Sequence, residues 1–303
     1  MLMLSQAPTP PGTSQGVFGL AGSGRPAHIR PMRDMAAEHV MPPLPRQYAG
    51  VNWLGFWTLY MKEVRRFTKI PMQTVLAPLM MSLLYMLVFS VATKGARPPV
   101  HGVVFTEFIA PGLVMMNILN NAFANSSSSI LQAKMMGLSA DFLTPPLTAL
   151  EQSAAFLLGA ASRGLVVGLV TLATVWWFAH SHIAHLWAAV YFMLVSSVIM
   201  AALGVLAGLW AEKFDQMAMV QNFVVMPMTF LSGTFYTVDR LPGPFKVVSH
   251  FNPFFYLIDG FRYGFIGISD GGVLTGTISS LFLAVALVVW CWWLFVTGYR
   301  LKT

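Results

Sequence analysis

From Gly164 to Ala211 the chain carries no Asp, Glu, Lys or Arg. A water-soluble fold has no way to wrap so long an apolar run in polar surface, whereas a bilayer needs about 20 apolar residues for one helical crossing. The run is long enough for two crossings joined by the polar turn His180–Ser181–His182–Ile183–Ala184–His185. Shorter charge-free stretches cover Ile70–Thr93, Phe108–Ala133, Gln216–Val238 and Gly271–Tyr299. Charged residues make up 10% of the 303 residues, against about 25% in an ordinary soluble domain. The sequence therefore predicts an all-α membrane protein with six transmembrane helices near 71–92, 105–125, 153–178, 186–211, 216–234 and 273–297.

Residues 1–50 differ in kind from 51–303. They hold 8 of the 19 prolines, bury too little apolar area to offset ordering entropy, and read as a flexible arm. The arm lacks the continuous apolar core of a signal peptide, so the N-terminus is expected in the cytoplasm. An amphipathic helix follows over Asn52–Lys69. At about 100° per residue, Trp53, Phe56, Trp57, Tyr60, Val64 and Phe67 share one face, and Lys62, Arg65, Arg66 and Lys69 the other. Aromatic residues opposed to a cationic stripe suit a helix lying in the membrane interface. Between the fifth and sixth spans, Val247–Ile258 is apolar but only 12 residues long and contains Asn252–Pro253, which predicts a re-entrant helical hairpin before the last span.

Lysine and arginine set the expected orientation. Eight precede the first span, and Lys134, Lys213, Arg300 and Lys302 fall on the same side; Lys94, Arg97, Arg240, Lys246 and Arg262 fall on the other. Both termini are thus predicted to be cytoplasmic. The +7 net charge is explained by this topology and needs no nucleic-acid partner.

Several chemistries are excluded. The single cysteine, Cys291, forms no intrachain disulfide, and no Gly-x-x-x-x-Gly-Lys-Ser/Thr loop is present to cradle a nucleotide. His180, His182 and His185 have metal-like spacing, but no cysteine or carboxylate lies near them in sequence, so they read as a short polar loop and no metal site is assigned. Arg163 falls inside the third predicted span. It is either a functional intramembrane charge or a side chain that snorkels to the interface. Asn117, Asn120, Asn121 and Asn125 recur at helical spacing on the second span, either as interhelical hydrogen-bonding groups or as the lining of a conduit to which Arg163 also belongs.

Two groups of residues resemble a known family. Pro227–Met228–Thr229–Phe230–Leu231–Ser232–Gly233–Thr234–Phe235–Tyr236, Leu241–Pro242, Asn252–Pro253, Tyr256, Asp259 and Arg262 are similar to the signature of ABC-2 type transporter permeases. Gly137, Asp141–Phe142–Leu143 and Pro145, followed by Glu151, Gly159 and Arg163, resemble the family's cytoplasmic loop between its second and third helices. The likeness is strongest to the bacterial inner-membrane subgroup that includes nodulation-factor, polysaccharide and drug exporters. It implies a permease pairing with a second permease chain, as a homodimer, and with two copies of a separate ATPase that binds ATP and Mg, this chain binding no cofactor itself. It further implies that Asp141, Phe142, Leu143 and Pro145 form the coupling helix docking on that ATPase. Gly233, Leu241, Pro242, Asn252, Pro253, Tyr256, Asp259 and Arg262 would shape an external hairpin at the exit, with Asp259 and Arg262 spaced to pair. The competing classes are an ATP-independent secondary transporter or channel, with Glu107 as its one candidate carboxylate, and a membrane-embedded transferase using the histidines.

Overall fold

Asn52 starts the first helix: its side-chain oxygen accepts from the Gly55 amide at 3.0 Å, satisfying one of the amides that a helix start leaves free. A computed structural model of the chain describes residues 50–93, 102–138, 145–179, 182–238 and 242–300, all within the unit Arg46–Thr303. The expected arm over 1–50 lies outside the described residues except for Gly50.

Among the described residues the elements are all helices. After α1 (Trp53–Thr68), a π-helical turn, Met72–Leu76, leads into α2 (Ala77–Thr93). Then come α3 (Phe105–Met135), α4 (Ala149–Ala179) and α5 (Leu186–Trp210). A broken helix follows, made of α6 (Phe214–Val220), a second π turn (Gln221–Val225) and α7 (Met226–Leu231). Two short helices, α8 (Gly243–Phe251) and α9 (Pro253–Ile266), meet at Asn252 and precede α10 (Val273–Thr297).

Four of the predicted spans are helices long and apolar enough to cross a membrane: Met72–Ala92, Ala149–Phe178, Leu186–Trp210 and Val273–Thr297. The stretch predicted at 105–125 lies in α3, which runs on to Met135. Its asparagines and serines lower its hydropathy, and at 1.5 Å per residue its 31 residues are longer than the roughly 30 Å hydrocarbon core. The stretch predicted at 216–234 is helical only to Leu231, where Ser232 and Gly233 (φ +77°) turn the chain.

Helix α3 is the centre of the bundle. Phe108, Ile109, Leu113, Val114, Met115, Ile118, Leu119, Ala122 and Phe123 along it are buried. Its neighbours approach through glycines four residues apart. A Cβ on Gly164 of α4 would lie 2.9 Å from the Ala122 methyl and 3.1 Å from the Ile118 carbonyl oxygen, and Gly168 abuts the Ile118 side chain. From α5, Gly204 faces the Ser126 hydroxyl and the Phe123 carbonyl, and Gly208 would place a Cβ 2.8 Å from the Ser127 carbonyl. A third pair, Gly260 and Gly264 on α9, sits against Phe192 and the Ala189 backbone of α5. Small residues at this spacing let helix backbones touch where no hydrophobic effect drives association.

Replacing Gly204 by Leu is expected to destabilise the bundle by at least about 1–3 kcal/mol, the range for overpacking. Thermal unfolding in detergent checks this. Gly243→Ala, at a position with nothing within 4 Å of the added carbon, is expected to unfold with the wild type.

Candidate functional site

The inner face of α1 is a row of its own, only partly shared with the aromatic stripe. Leu59, Glu63 and Phe67 are buried, whereas Trp53 is 71% exposed and Leu54 and Trp57 also point outward. Lys62, Arg65 and Lys69 are exposed as expected. Arg66 leaves the cationic stripe and turns inward. Its guanidinium donates to the Ser128 hydroxyl at 3.0 Å, to the Asn125 side-chain oxygen at 3.1 Å and to the Asn125 carbonyl.

Glu63 was not singled out from the sequence. It is 1% exposed, accepts from the Ser129 hydroxyl at 2.6 Å and lies 3.4 Å from Arg66 Nη2. Its stem reaches this depth because Gly159 of α4 offers no side chain: a Cβ there would sit 2.5 Å from that of Glu63. The available signal was its i, i+4, i+8 alignment with Leu59 and Phe67, which puts a carboxylate in the row of core positions. Burial pushes the Arg66 guanidinium below its ordinary pKa, with Glu63 pulling the other way.

The asparagines of α3 divide into two roles. Asn117 donates to Ser82 on α2 at 2.8 Å and to Thr171 on α4 at 3.0 Å, so it joins three helices. Asn121 donates to the Asn117 carbonyl and accepts from Arg163 Nη2 at 3.2 Å. Asn120 accepts from Gln221 at 2.8 Å, tying the second π turn to α3. Arg163, partly buried, thus ends on α3 one turn from the Arg66–Asn125 contact, and Arg66 is its charged neighbour.

The start of α1 is bound to the start of α4. Thr148 and Glu151 form a reciprocal cap: the Thr148 amide donates to Glu151 Oε2 at 2.7 Å and the Glu151 amide to the Thr148 hydroxyl at 3.3 Å. The other carboxylate oxygen accepts the Asn52 amide at 2.6 Å, and the Asn52 side chain donates to the Pro146 carbonyl. Asp141, Phe142 and Leu143, predicted to contact an ATPase, lie outside the described residues; Pro145 is partly buried beside this junction. The carbonyls left free at the end of α5 are met by cations, Lys134 on Leu209 and Ala211 at 2.7 Å each and Arg300 on Trp210 at 2.7 Å. Burial, and then the nearby Arg300, hold the Lys134 ammonium below its ordinary pKa, while Glu212 acts against them.

The predicted hairpin residues come together as a bracing network. Asn252 caps α9 by accepting the Phe254 amide at 3.0 Å and donates to the Met228 carbonyl at 2.7 Å and the Ser232 hydroxyl at 2.9 Å. Pro253 opens α9 and Pro242 precedes α8; Leu241 lies outside the described residues. Arg262 donates to the Gly233 carbonyl at 2.6 Å and lies 4.0 Å over the Phe108 ring. Asp259 accepts from the Ser269 hydroxyl and from the Asp270 and Gly271 amides, at 2.6, 3.0 and 3.0 Å. The i,i+3 carboxylate and guanidinium are therefore engaged chiefly with the flanking loops. Tyr256 packs edge-on to Phe255. Next to this network, Tyr85, Phe89, Phe230, Leu231, Phe235 and Tyr236 line an apolar cleft of about 420 Å³. Of the three histidines, His180 lies outside the described residues, His182 is exposed, and His185 stacks on Tyr263 at 4.5 Å.

Residues 55–266, which include most of α1, the α3 stripe, Arg163 and the hairpin, match the family described as ABC-2 type transporter. The chain belongs to that family. It is 34% identical over 252 residues to the inner membrane transport permease YadH of Escherichia coli strain K12, covering 83% of this chain and 98% of that one. It is also 24% identical to nodulation protein J of Rhizobium leguminosarum bv. viciae, over 72% of this chain and 83% of the relative. Nodulation protein J of Sinorhizobium fredii is 26% identical over 75% and 88%. The chain is thus a multi-pass transport permease of the inner membrane.

In this permease, Glu151→Ala removes the acceptor shared by the Asn52 and Thr148 amides and is expected to cost about 1–3 kcal/mol. Hydrogen–deuterium exchange should quicken at the start of α1, around residues 52–56, and stay unchanged in α9. Wild-type protection at 52–56 in the variant would show that the link does not hold α1.

Proposed function

We propose that this permease is the membrane half of an ATP-driven ABC exporter of the bacterial inner membrane. Two copies form the conduit as a homodimer, and two copies of a separate ATPase bind ATP and Mg and supply the work. Each chain crosses six times with both termini in the cytoplasm, and the α8–α9 hairpin re-enters from the outside to close the exit. Asp141, Phe142, Leu143 and Pro145 form the segment that docks on the ATPase. Movement of that segment is passed to α1 and α4 together through the Asn52–Glu151 junction, because one carboxylate holds both helix starts.

The observation that best supports this reading is the polar side of α3. It carries Asn120, Asn121, Asn125 and Ser128 together with Arg163, in a chain with no P-loop of its own. A polar seam in a membrane protein without a nucleotide site of its own must take its energy from elsewhere if the protein pumps, and a separate ATPase supplies it in this reading. The aromatic cleft beside the hairpin fits a glycan, lipid-linked or drug-like cargo. An ATP-independent secondary transporter or channel is the other class. Its sequence candidate, Glu107, is only partly buried in the first turn of α3; the buried carboxylates among the described residues, Glu63, Glu151 and Asp259, are each already held by donors.

Affinity purification of the tagged permease from native membranes is expected to recover a P-loop ATPase of roughly 250–300 residues, a usual size for such a unit. Absence of any ATPase, with transport insensitive to ATP, would overturn the proposal. Replacing Asp141 and Leu143 together by Ala is expected to leave insertion intact and to abolish transport-linked ATP hydrolysis. Normal transport by the double variant would refute the coupling assignment.

A further inference from the structure

Five buried side-chain nitrogen or oxygen atoms among the described residues have no hydrogen-bond partner within the protein. One is Arg262 Nε. The other four, Glu63 Oε2, Arg66 Nε, Asn125 Nδ2 and Arg163 Nε, belong to one place, the junction of α1, α3 and α4. Buried polar groups are paired in folded proteins as a rule, and a concentration of exceptions asks for a cause. The charge count at the junction points the same way. The junction holds two guanidiniums and one carboxylate, and Glu63 is engaged by Ser129 at one oxygen and lies 3.4 Å from Arg66 at the other. Arg163 has a neutral amide oxygen as its hydrogen-bond acceptor and another cation as its charged neighbour. A water molecule satisfies a free donor but leaves that second charge uncompensated. Three of the four unpartnered atoms are N–H donors, two on guanidiniums and one on an amide, which is the donor set of an oxyanion site.

We propose that this junction binds the phosphate group of an anionic phospholipid, with Arg66 and Arg163 as the cations and Asn125 as the neutral donor. The surface around Arg66 favours a lipid over dissolved phosphate. Arg66 is 27% exposed and leads from that surface to the buried unpartnered atoms. The same helix turns Trp53, Leu54 and Trp57 outward and exposes Lys62 and Arg65, a pattern that sets a helix at headgroup depth. The lipid ties α1 to α3 and α4 where Gly159 has brought them into contact. This inference rests on reading α1 as interfacial. It does not depend on the ATPase, so a permease that recovers no ATPase partner still tests it.

The experiment is native mass spectrometry of the delipidated full-length permease titrated with phosphatidylglycerol. Wild type is expected to retain one tightly held lipid. Arg66→Met with Arg163→Met is expected to weaken it by about 10-fold or more, as for loss of charge-assisted hydrogen bonds. The equal charge loss of Lys62→Met with Arg65→Met is expected to have a much smaller effect. Asn125→Asp guards against a folding failure. It places a carboxylate between the arginines, and is expected to stay monodisperse, to unfold no lower than wild type, and to lose the lipid. Equal loss in both double variants, wild-type retention by the Asn125→Asp protein, or displacement of the lipid by millimolar inorganic phosphate would each overturn the assignment.

Discussion

The closeness of α4 and α5 to α3 is the constraint on which the other contacts depend. Glycine pairs on both neighbours bring their backbones against the central helix, so Asn117, Asn121 and Ser126 of α3 lie within reach of a second helix. Asn117 can bond to α2 and α4 at once, and Asn121 can meet Arg163, only at such separations. In a bilayer, an asparagine that missed its partner would have lipid as its alternative. Packing by small residues and hydrogen bonding by amides are therefore one device here. The first sets the distances that the second requires.

Much of this arrangement could be read from the sequence, because a membrane punishes charge so strongly that gaps in charge locate helices. The spans around Met72–Ala92, Ala149–Phe178, Leu186–Trp210 and Val273–Thr297 were visible for that reason. The helix starting at Asn52 and the Asn252–Pro253 break were visible because capping and proline chemistry are local. The length of α3 was not, since its last two turns are serine-, glutamine- and lysine-bearing and resemble loop sequence until α5 is placed beside them. The stretch predicted at 216–234 read as one helix, but the one residue of extra winding in its π turn cannot be seen in hydropathy.

At the candidate site the legible and the hidden follow the same division. Asn117, Asn121 and Arg163 stood out as polar groups in apolar surroundings. Glu63 and the inward turn of Arg66 did not, because on α1 they sit among other charges and only the partner helices distinguish them. The glycine pairs were present as Gly-x-x-x-Gly spacings in three helices, yet spacing alone does not say which neighbour a glycine touches. The hairpin signature was recognisable, but its Asp259 and Arg262 are engaged chiefly by loops that no i,i+3 rule brings in.

The two π turns, Met72–Leu76 and Gln221–Val225, affect how the helices that contain them are oriented. A π turn accommodates one more residue than an α turn, so it rotates everything after it by about 100° relative to a plain helix. The side that Ala77–Thr93 shows to the bundle is therefore out of phase with the side shown by the residues before it. Loss of a single residue within either turn would restore plain winding while leaving the faces on both sides as they are. These are positions where the chain can change length by one without moving a side chain to the wrong surface.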